Sequence, residues 1–307
     1  MNSRHFRLLV FLLSLCPLMV AQSRWPSPER RTWKDLKLAR CGRSAQTVRY
    51  KVGKYEIKLV SSADETYNIG RACSAYLVKP DGTESLLYHD ADISILKGTG
   101  DDIFATGNPG VILEAFSGGA HCCYTYVFAE LGDTPAVLPP IENQTGFYVF
   151  KEAGDGRYRI LTWDGGFDYF DDLCHACSPA PSVVLELRKT GLRDVSKAYS
   201  PSFDDEITEA RAEIKPDELS IFASSDLSKG DPAWAESEEL RPAILKIVLA
   251  YLYSGREKMA WQTLNQMWPA KDQQRIKGLI LKTRSKGILS EIQAEKSTPR
   301  RQSSAIH

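Results

Sequence analysis

Apolar and polar residues alternate along much of the chain before residue 190. Val48, Tyr50 and Val52 alternate with polar residues, and the same two-residue period resumes after Gly53. Alternation of this kind is typical of half-buried β-strands, and two such runs around a Gly-Lys turn predict a β-hairpin. Further short runs with turn signals between them raise the expected number of strands to roughly ten, which favours a sandwich, an open barrel or a propeller-like meander.

The chain after residue 200 follows a helical period instead. The clearest segment covers about residues 237–253, and Gly255 is placed to end it. Its apolar residues fall on one face at helical spacing: Leu240, Ile244, Ile247, Val248, Tyr251 and Leu252. Two shorter helical segments follow. We therefore expect an α+β fold in which an N-terminal β-rich domain, a sandwich or a propeller-like meander, precedes C-terminal α-helical hairpins.

These patterns divide the chain into five segments. Residues 296–307 are basic and polar, which is typical of a disordered tail. The predicted segments are a signal peptide at 1–23, a lead-in at 24–46, a disulfide-stapled β-rich domain at 47–190, a helical region at 200–295 and the disordered tail at 296–307.

The first segment has the features of a secretory signal in the usual order. A positive stretch around Arg4 and Arg7 precedes an apolar stretch at residues 8–20, and cleavage after Ala21 or Ser23 fits the small-residue rule. An uncleaved N-terminal anchor is the alternative. We expect a secreted or periplasmic protein with no transmembrane span after signal removal, because no later segment has the apolar length required to cross a bilayer.

The charge of the chain narrows the classes of partner. Lys and Arg total 39, and Asp and Glu also total 39, so the formal net charge is zero. A balanced composition lacks the basic excess of proteins that bind nucleic acid or acidic membranes. We therefore expect no nucleic-acid partner, and an envelope protein or a small ligand are the remaining candidates. The sequence predicts no cofactor.

Cysteine is the residue type that bears most directly on function. The chain has 7 cysteines, of which Cys16 lies in the predicted signal. An even number in an oxidising compartment predicts disulfides. The remaining cysteines are Cys41, Cys73, Cys122, Cys123, Cys174 and Cys177.

The spacing of these cysteines favours some pairings. Cys41 and Cys73 flank the first predicted hairpin, so we favour a disulfide between them. Cys122 and Cys123 are adjacent, and on a strand their side chains point to opposite faces. We therefore expect one or both to pair with Cys174 and Cys177, each link closing a loop of roughly fifty residues and contributing about 3–5 kcal/mol.

Two other kinds of chemistry remain open for the same thiols. Thiolates and imidazoles are the ligands that Zn²⁺ or Cu⁺ prefers, so a metal site is one alternative. Its candidate ligands are His121, Cys122, Cys123, Cys174, His175 and Cys177. The other alternative is thiol–disulfide exchange at the run Cys174-His175-Ala176-Cys177, in which the histidine lowers the pKa of a neighbouring thiol.

A weak internal repeat surrounds these cysteines. Ile112-Leu113 and Gly118-Gly119 have counterparts 48 and 47 residues later in Ile160-Leu161 and Gly165-Gly166. The third pair of matching residues lies about nine residues further apart, which predicts an insertion around Cys174 and Cys177 in the second unit. Chance similarity between two Gly-rich hairpins is the alternative.

Acidic turns offer only weak calcium signals. The candidates are Gly100-Asp101-Asp102, Asp155-Gly156 and the acids of residues 168–172, and none completes an alternating Asp-x-Asp-x-Asp-Gly loop. The sequence also has no HExxH run, no nucleophile elbow and no phosphate-binding Gly loop.

The run Ser117-Gly118-Gly119-Ala120-His121-Cys122-Cys123, with Tyr124-Thr125-Tyr126 after it, resembles a group of uncharacterised exported bacterial proteins. In that group a Gly-Gly-Ala-His-Cys-Cys signature follows an Asp-rich, FG-GAP/VCBS-like segment. The resemblance covers about residues 98–131. It implies export but no particular function, and several of the group's carboxylates are absent from residues 101–110 here.

Together these observations predict an exported, disulfide-stabilised protein of unknown ligand that binds or has a structural role and is not an enzyme. The alternative is a periplasmic thiol-redox or metal-handling protein that uses the His-Cys-Cys and Cys-His-x-Cys runs.

Overall fold

A computed structural model describes residues 25, 37–41, 46–67, 69–118, 124–143 and 145–297, and every structural statement below concerns these residues. The predicted signal peptide, the tail beyond Ser297 and the run 119–123 lie outside them. The strands are β1 (Lys37–Arg40), β2 (Thr47–Val52), β3 (Tyr55–Ala63), β4 (Arg71–Val78), β5 (Glu84–Asp90), β6 (Asp92–Leu96), β7 (Gly110–Phe116), β8 (Tyr124–Glu130), β9 (Ala136–Val137), β10 (Ile141–Asn143), β11 (Tyr148–Lys151), β12 (Tyr158–Trp163), β13 (Ser182–Arg188) and β14 (Gly191–Asp194).

The strands form three antiparallel sheets. The N-terminal sheet has the order β2-β3-β4-β5, and the third sheet has the order β11-β12-β13-β14. The middle sheet has the order β1-β6-β7-β8-β10, with β9 also paired to β8. Neighbouring strands in the N-terminal and third sheets are also consecutive in sequence, which is the meander that short alternating runs and tight turns predict.

The alternation of apolar residues explains how the sheets stack. In β3, Tyr55, Ile57 and Leu59 are buried while the residues between them are partly exposed. They face Ile93 and Leu113 of the middle sheet in one apolar core. The other face of the middle sheet shares a second core with the third sheet and the helices. The middle sheet is therefore covered on both faces, which explains why β6 is buried at every position.

Six helices follow the third sheet, and they confirm the predicted α+β class. They are α1 (Ser200–Ala212), α2 (Pro216–Ser224), α3 (Leu240–Tyr253), α4 (Glu257–Met267), α5 (Gln273–Arg284) and α6 (Ile288–Ser297). The sequence predicts an amphipathic helix at α3, but Leu245 and Leu249, outside the predicted face, are fully buried as well. The reason is that α3 packs against α1, α4 and β13 at once.

Part of the predicted lead-in is a strand. Residues 37–40 form β1, which pairs antiparallel with β6, and Cys41 donates its backbone N–H to the carbonyl of Ile93 at 2.9 Å. The end of the predicted lead-in is therefore an ordered edge of the middle sheet. None of the described helices has the length and apolar character that crossing a membrane would require.

Each unit of the suggested repeat contains an antiparallel hairpin. β7 pairs with β8 in the middle sheet, and β12 pairs with β13 in the third sheet. The connection between β12 and β13 covers residues 164–181 and contains Cys174 and Cys177. The longer connection therefore lies in the second unit, where the sequence predicts an insertion.

Candidate functional site

The disulfide between Cys41 and Cys73 is the pair favoured from the sequence. Their Cα atoms are 6.1 Å apart, within the usual range for a disulfide. Cys41 follows β1, and Cys73 lies in β4 opposite Ser61 and Asp90, so the bond ties the middle sheet to the N-terminal sheet. Both residues are buried in the core between those sheets.

A cleft of about 600 Å³ lies beside this disulfide. Strands of both sheets and the turn that precedes β4 supply its walls, which combine charge, hydroxyl groups and apolar surface. The lining includes Arg40, Ser61, Ile69, Arg71, Asp92 and Phe116. The sequence predicts none of these as site residues, because they come from five separate stretches that only the pairing of the sheets brings together.

Arg40 is held in place at this cleft by a buried carboxylate. Its Nε donates to both oxygens of Asp92, at 3.0 and 2.8 Å, and its Nη2 also contacts Asp92. The hydrogen bond from Arg40 to Asp92 raises the pKa of the guanidinium, which stays charged. Since Asp92 is buried and Arg40 half-exposed, the pair fixes a positive group at the rim of the cleft.

The run that contains Cys122 and Cys123 begins directly after β7, at the wall of this cleft. β7 ends at Phe116 on the cleft wall, and Gly118 has a φ of +87°, a conformation that favours glycine. A Cβ at Gly118 would lie 3.7 Å from Ile69. The predicted ligands His121, Cys122 and Cys123 lie outside the described residues, so metal binding by them stays a prediction.

Cys174 and Cys177 form a disulfide with each other, and this corrects the expected pairing of these residues with Cys122 and Cys123. One turn of 3₁₀ helix at His175–Cys177 brings their Cα atoms to 5.0 Å. That distance suits a disulfide, so the two cysteines need no distant partner. Because each cysteine has its partner within one turn, neither closes the loop of roughly fifty residues that the sequence predicts.

The two sulfurs of this turn differ in exposure. Cys174 is exposed, whereas Cys177 is half-buried and packs against the core that includes the helices. The backbone N–H of Cys177 donates to Sγ of Cys174 at 3.1 Å. Ser178 closes the turn, since its N–H and its hydroxyl both donate to the carbonyl of Cys174.

Two side chains of the same segment, Tyr169 and His175, contact each other and are exposed. His175 lies between the cysteines in sequence, and its Nδ1 is 2.7 Å from an oxygen of Asp168. The ring of Tyr169 lies 5.7 Å from the imidazole, centroid to centroid, and is 58% exposed. A large exposed aromatic ring beside an exposed disulfide provides a surface on which another molecule can pack.

The backbone that carries these groups has unusual conformations. Tyr169, Asp171 and Asp172 have φ of +51°, +53° and +65°, in the left-handed region that non-glycine residues rarely adopt. Each such residue costs of order 1–3 kcal/mol and persists only when its surroundings enforce it. Buried side chains at Phe167, Phe170 and Leu173 anchor the segment. We call residues 168–178 the disulfide loop.

A buried ion-pair network holds the disulfide loop to the helices. The Asp171 carboxylate receives hydrogen bonds from Nη1 and Nη2 of Arg275, at 2.6 and 2.9 Å. Lys229 approaches to 3.3 Å, and Nη1 of Arg241 donates to the Asp171 carbonyl at 3.4 Å. Asp272 shares Arg275 at 2.7 Å. The sequence marks the acids of residues 168–172 only as a weak calcium signal, because the three cations come from distant segments.

The metal interpretations find no support among the described residues. No group of three or more His, Cys, Asp and Glu side chains there is arranged to hold a metal ion. Cys174 and Cys177 form a disulfide with each other, and the His175 imidazole is hydrogen-bonded to Asp168. Of the calcium candidates, Asp102 accepts from the N–H groups of Thr106 and Gly107, so it fixes its own turn.

The geometry thus provides two candidate sites, the cleft beside Cys41–Cys73 and the disulfide loop. The resemblance over residues 98–131 stays a prediction. Comparison of this chain with protein-family models, with curated proteins and with solved structures finds no match.

Proposed function

We propose that this chain is an exported, non-enzymatic binding protein, stabilised by disulfides, and that its cleft takes a small molecule with an anionic group and an apolar body. The observation that carries the proposal is the oriented guanidinium of Arg40 at the rim of a cleft of about 600 Å³. That volume is typical of small-molecule sites, which measure about 300–1,000 Å³.

The charge of the cleft favours an anion. The guanidinium groups of Arg40 and Arg71 both line the cleft, and Asp92 supplies the carboxylate that orients Arg40. Asp92 engages Nε and Nη2 of Arg40, so Nη1 has no acceptor among the described residues. A carboxylate that bridges to this group gains a charge-assisted hydrogen bond at no cost in ordering the arginine.

The remaining walls favour an apolar body. Ile69 is 43% exposed, which is unusual for an isoleucine, and Phe116 is also part of the lining. Ser61 and Ser62 add hydroxyl groups at the end of β3. A few polar groups set among apolar side chains is the usual composition of a ligand site. The buried Cys41–Cys73 bond beside the cleft supports work in an oxidising compartment.

Calorimetric titration with matched probes tests this proposal. The probes are hexanoate, benzoate and phenylacetate, each paired with its amide. We expect the carboxylates to bind about tenfold more tightly than the amides, because only they pair with the guanidinium. Binding that does not distinguish acid from amide, or no binding of any carboxylate, would contradict the proposal.

A charge variant tests the location. Ile69→Asp places a carboxylate on the exposed cleft wall, and we expect it to weaken carboxylate binding about tenfold through repulsion. Leu86→Asp is the matched control, since Leu86 is 58% exposed on β5 and does not line the cleft. Equal affinities in the two variants would place the binding site elsewhere.

A further inference from the structure

We propose that the Cys174–Cys177 disulfide is a thiol-exchange site that accepts two electrons from a dithiol, with Cys174 as the sulfur that is attacked. This inference does not depend on the cleft. It starts from the contrast in exposure between the two described disulfides: Cys41 and Cys73 are 4% and 1% exposed, whereas Cys174 is exposed to solvent. Exposed disulfides are the ones that exchange with external thiols.

The geometry decides which sulfur reacts. Cys177 packs partly against the core, so an incoming thiolate reaches Sγ of Cys174 first. The new bond forms between that thiolate and Cys174, the Cys174–Cys177 bond breaks, and its electron pair leaves on Cys177, which takes a proton from water. The second thiol of the dithiol gives its proton to water and attacks the dithiol sulfur that is bonded to Cys174, which releases Cys174 as a thiolate and leaves the dithiol oxidised to a disulfide.

The geometry of the turn stabilises the Cys174 thiolate that reduction produces. The N–H of Cys177 already points at Sγ of Cys174, at 3.1 Å, and this donor stabilises a thiolate there. His175 lies inside the turn with its imidazole fixed by Asp168 at 2.7 Å. Histidine is one of the residues found next to reactive cysteines of lowered pKa, and here it directly follows Cys174 in the chain.

The disulfide loop keeps its shape without the sulfur bond. Phe170 and Leu173 are buried in the core, and the carboxylate of Asp171 is bonded to Arg275. The turn itself is closed by hydrogen bonds from Cys177 and Ser178 to the carbonyl of Cys174. Reduction therefore leaves Cys174 and Cys177 close enough to be reoxidised, as a reversible site requires.

The dithiol has two chemical sources, a small molecule or a polypeptide with paired cysteines. Both share the reacting group, and Tyr169 distinguishes them. Its exposed ring lies against His175, where the chain on either side of a polypeptide cysteine would pack. A small dithiol has no such chain, so its reaction does not depend on the ring.

Differential alkylation of the purified protein tests the proposal. The protein is equilibrated with graded dithiothreitol under native conditions, free thiols are blocked, and a tryptic digest is read by mass spectrometry. The sequence places Cys73, the pair Cys122 and Cys123, and the pair Cys174 and Cys177 on different peptides, namely residues 72–97, 98–151 and 160–188. Each site is therefore read separately in one sample, with Cys41–Cys73 as the internal control.

We expect Cys174–Cys177 to be reduced about 100-fold faster than Cys41–Cys73 in the folded protein. Simultaneous reduction of the two bonds, or reduction of Cys174–Cys177 only under denaturing conditions, would overturn the proposal.

Single variants test which of the two sulfurs is attacked. The free Cys174 of Cys177→Ser should form a mixed disulfide with oxidised glutathione about tenfold faster than the free Cys177 of Cys174→Ser. Equal rates would refute the assignment of Cys174.

Tyr169→Ala identifies the source of the dithiol. If the partner is a polypeptide, the variant should react about fivefold more slowly with a reduced peptide that carries a Cys-x-x-Cys pair and at the wild-type rate with dithiothreitol. Phe170 is unsuited as a control because it is buried, so Tyr76, a half-buried aromatic residue on β4, serves as the matched alanine variant. Unchanged peptide rates in Tyr169→Ala would identify a small dithiol as the reductant.

Discussion

The disulfide between Cys41 and Cys73 joins two sheets, whereas the disulfide between Cys174 and Cys177 closes a single turn. The first spans 32 residues of sequence and the second spans 3. The first is buried among strands, and the second faces solvent beside Tyr169 and His175. The same covalent bond is therefore placed once where it restrains the fold and once where it is accessible to another thiol.

The difference in loop length has an energetic consequence. In the chain-entropy model, a bond that closes about 30 residues restricts the unfolded chain by about 4 kcal/mol, and a bond that closes a single turn restricts it by about 2 kcal/mol. Because the disulfide loop also has buried anchors and ion pairs, its sulfur bond contributes less to the fold than these other contacts. A bond that the fold does not require is free to be broken and formed again.

The largest expected effect comes from removing the bond between the sheets. Cys41→Ala with Cys73→Ala should lower the free energy of unfolding by about 4 kcal/mol, measured by urea titration without reductant. The matched double variant, Cys174→Ala with Cys177→Ala, should lose no more than about 2 kcal/mol. Equal losses would remove the distinction between a structural and an accessible disulfide.

A region can be predicted from the sequence when its contacts join residues that are close along the chain. Cys41 and Cys73 flank a hairpin whose alternation is plain, so their pairing follows from local pattern. The α+β class and the long helix at α3 follow for the same reason. The cleft does not, because Arg40 and Asp92 meet only when β1 pairs with β6.

In the disulfide loop the cysteines are close along the chain, but the backbone conformation that precedes them and the contact that anchors it cannot be read from the sequence. Its cysteines pair over three residues, but the left-handed backbone at Tyr169 leaves no mark in the sequence, since nothing in a tyrosine signals a positive φ. The side chain that anchors this segment at Asp171 is Arg275, which lies 104 residues further along the chain. A contact of that range is set by tertiary packing and has no local pattern.

The second prediction tests whether ion pairs, more than sulfur, hold the disulfide loop. Asp171→Asn keeps a side chain that tolerates a positive φ but removes the charge that pairs with Arg275 and Lys229. Since the Asp171 side chain is fully buried, we expect a loss of about 3 kcal/mol in urea unfolding. The exchange rate at Cys174 should change as well, because the segment that carries it loses its anchor.

Asp172→Asn is the control for this variant. Asp172 has a similar positive φ, but its side chain is 78% exposed and pairs with Lys229 at the surface. Its stability should stay within error of the wild type. A loss in Asp171→Asn no larger than that in Asp172→Asn would show that the buried network does not hold the loop.

The smallest predicted effect concerns Glu206, which lies in α1 and, with Pro179 and Pro181, lines a cavity next to the end of the disulfide loop. Burial raises the pKa of Glu206 to about 7, although its carboxylate accepts a hydrogen bond from Ser182 at 2.6 Å. The folded state therefore favours the protonated carboxyl. As pH rises from about 4.5 to 7 the unfolded chain loses this proton first, so the folded state loses stability over that window.

Glu206→Gln removes this titration and keeps an oxygen that accepts from Ser182. We expect the variant to exceed the wild type by about 2 kcal/mol at pH 8 and to differ little from it at pH 4, by urea unfolding without reductant. Glu65→Gln, at an exposed glutamate in the turn between β3 and β4, should show no such pH dependence. A pH-independent difference would mean that Glu206 titrates normally.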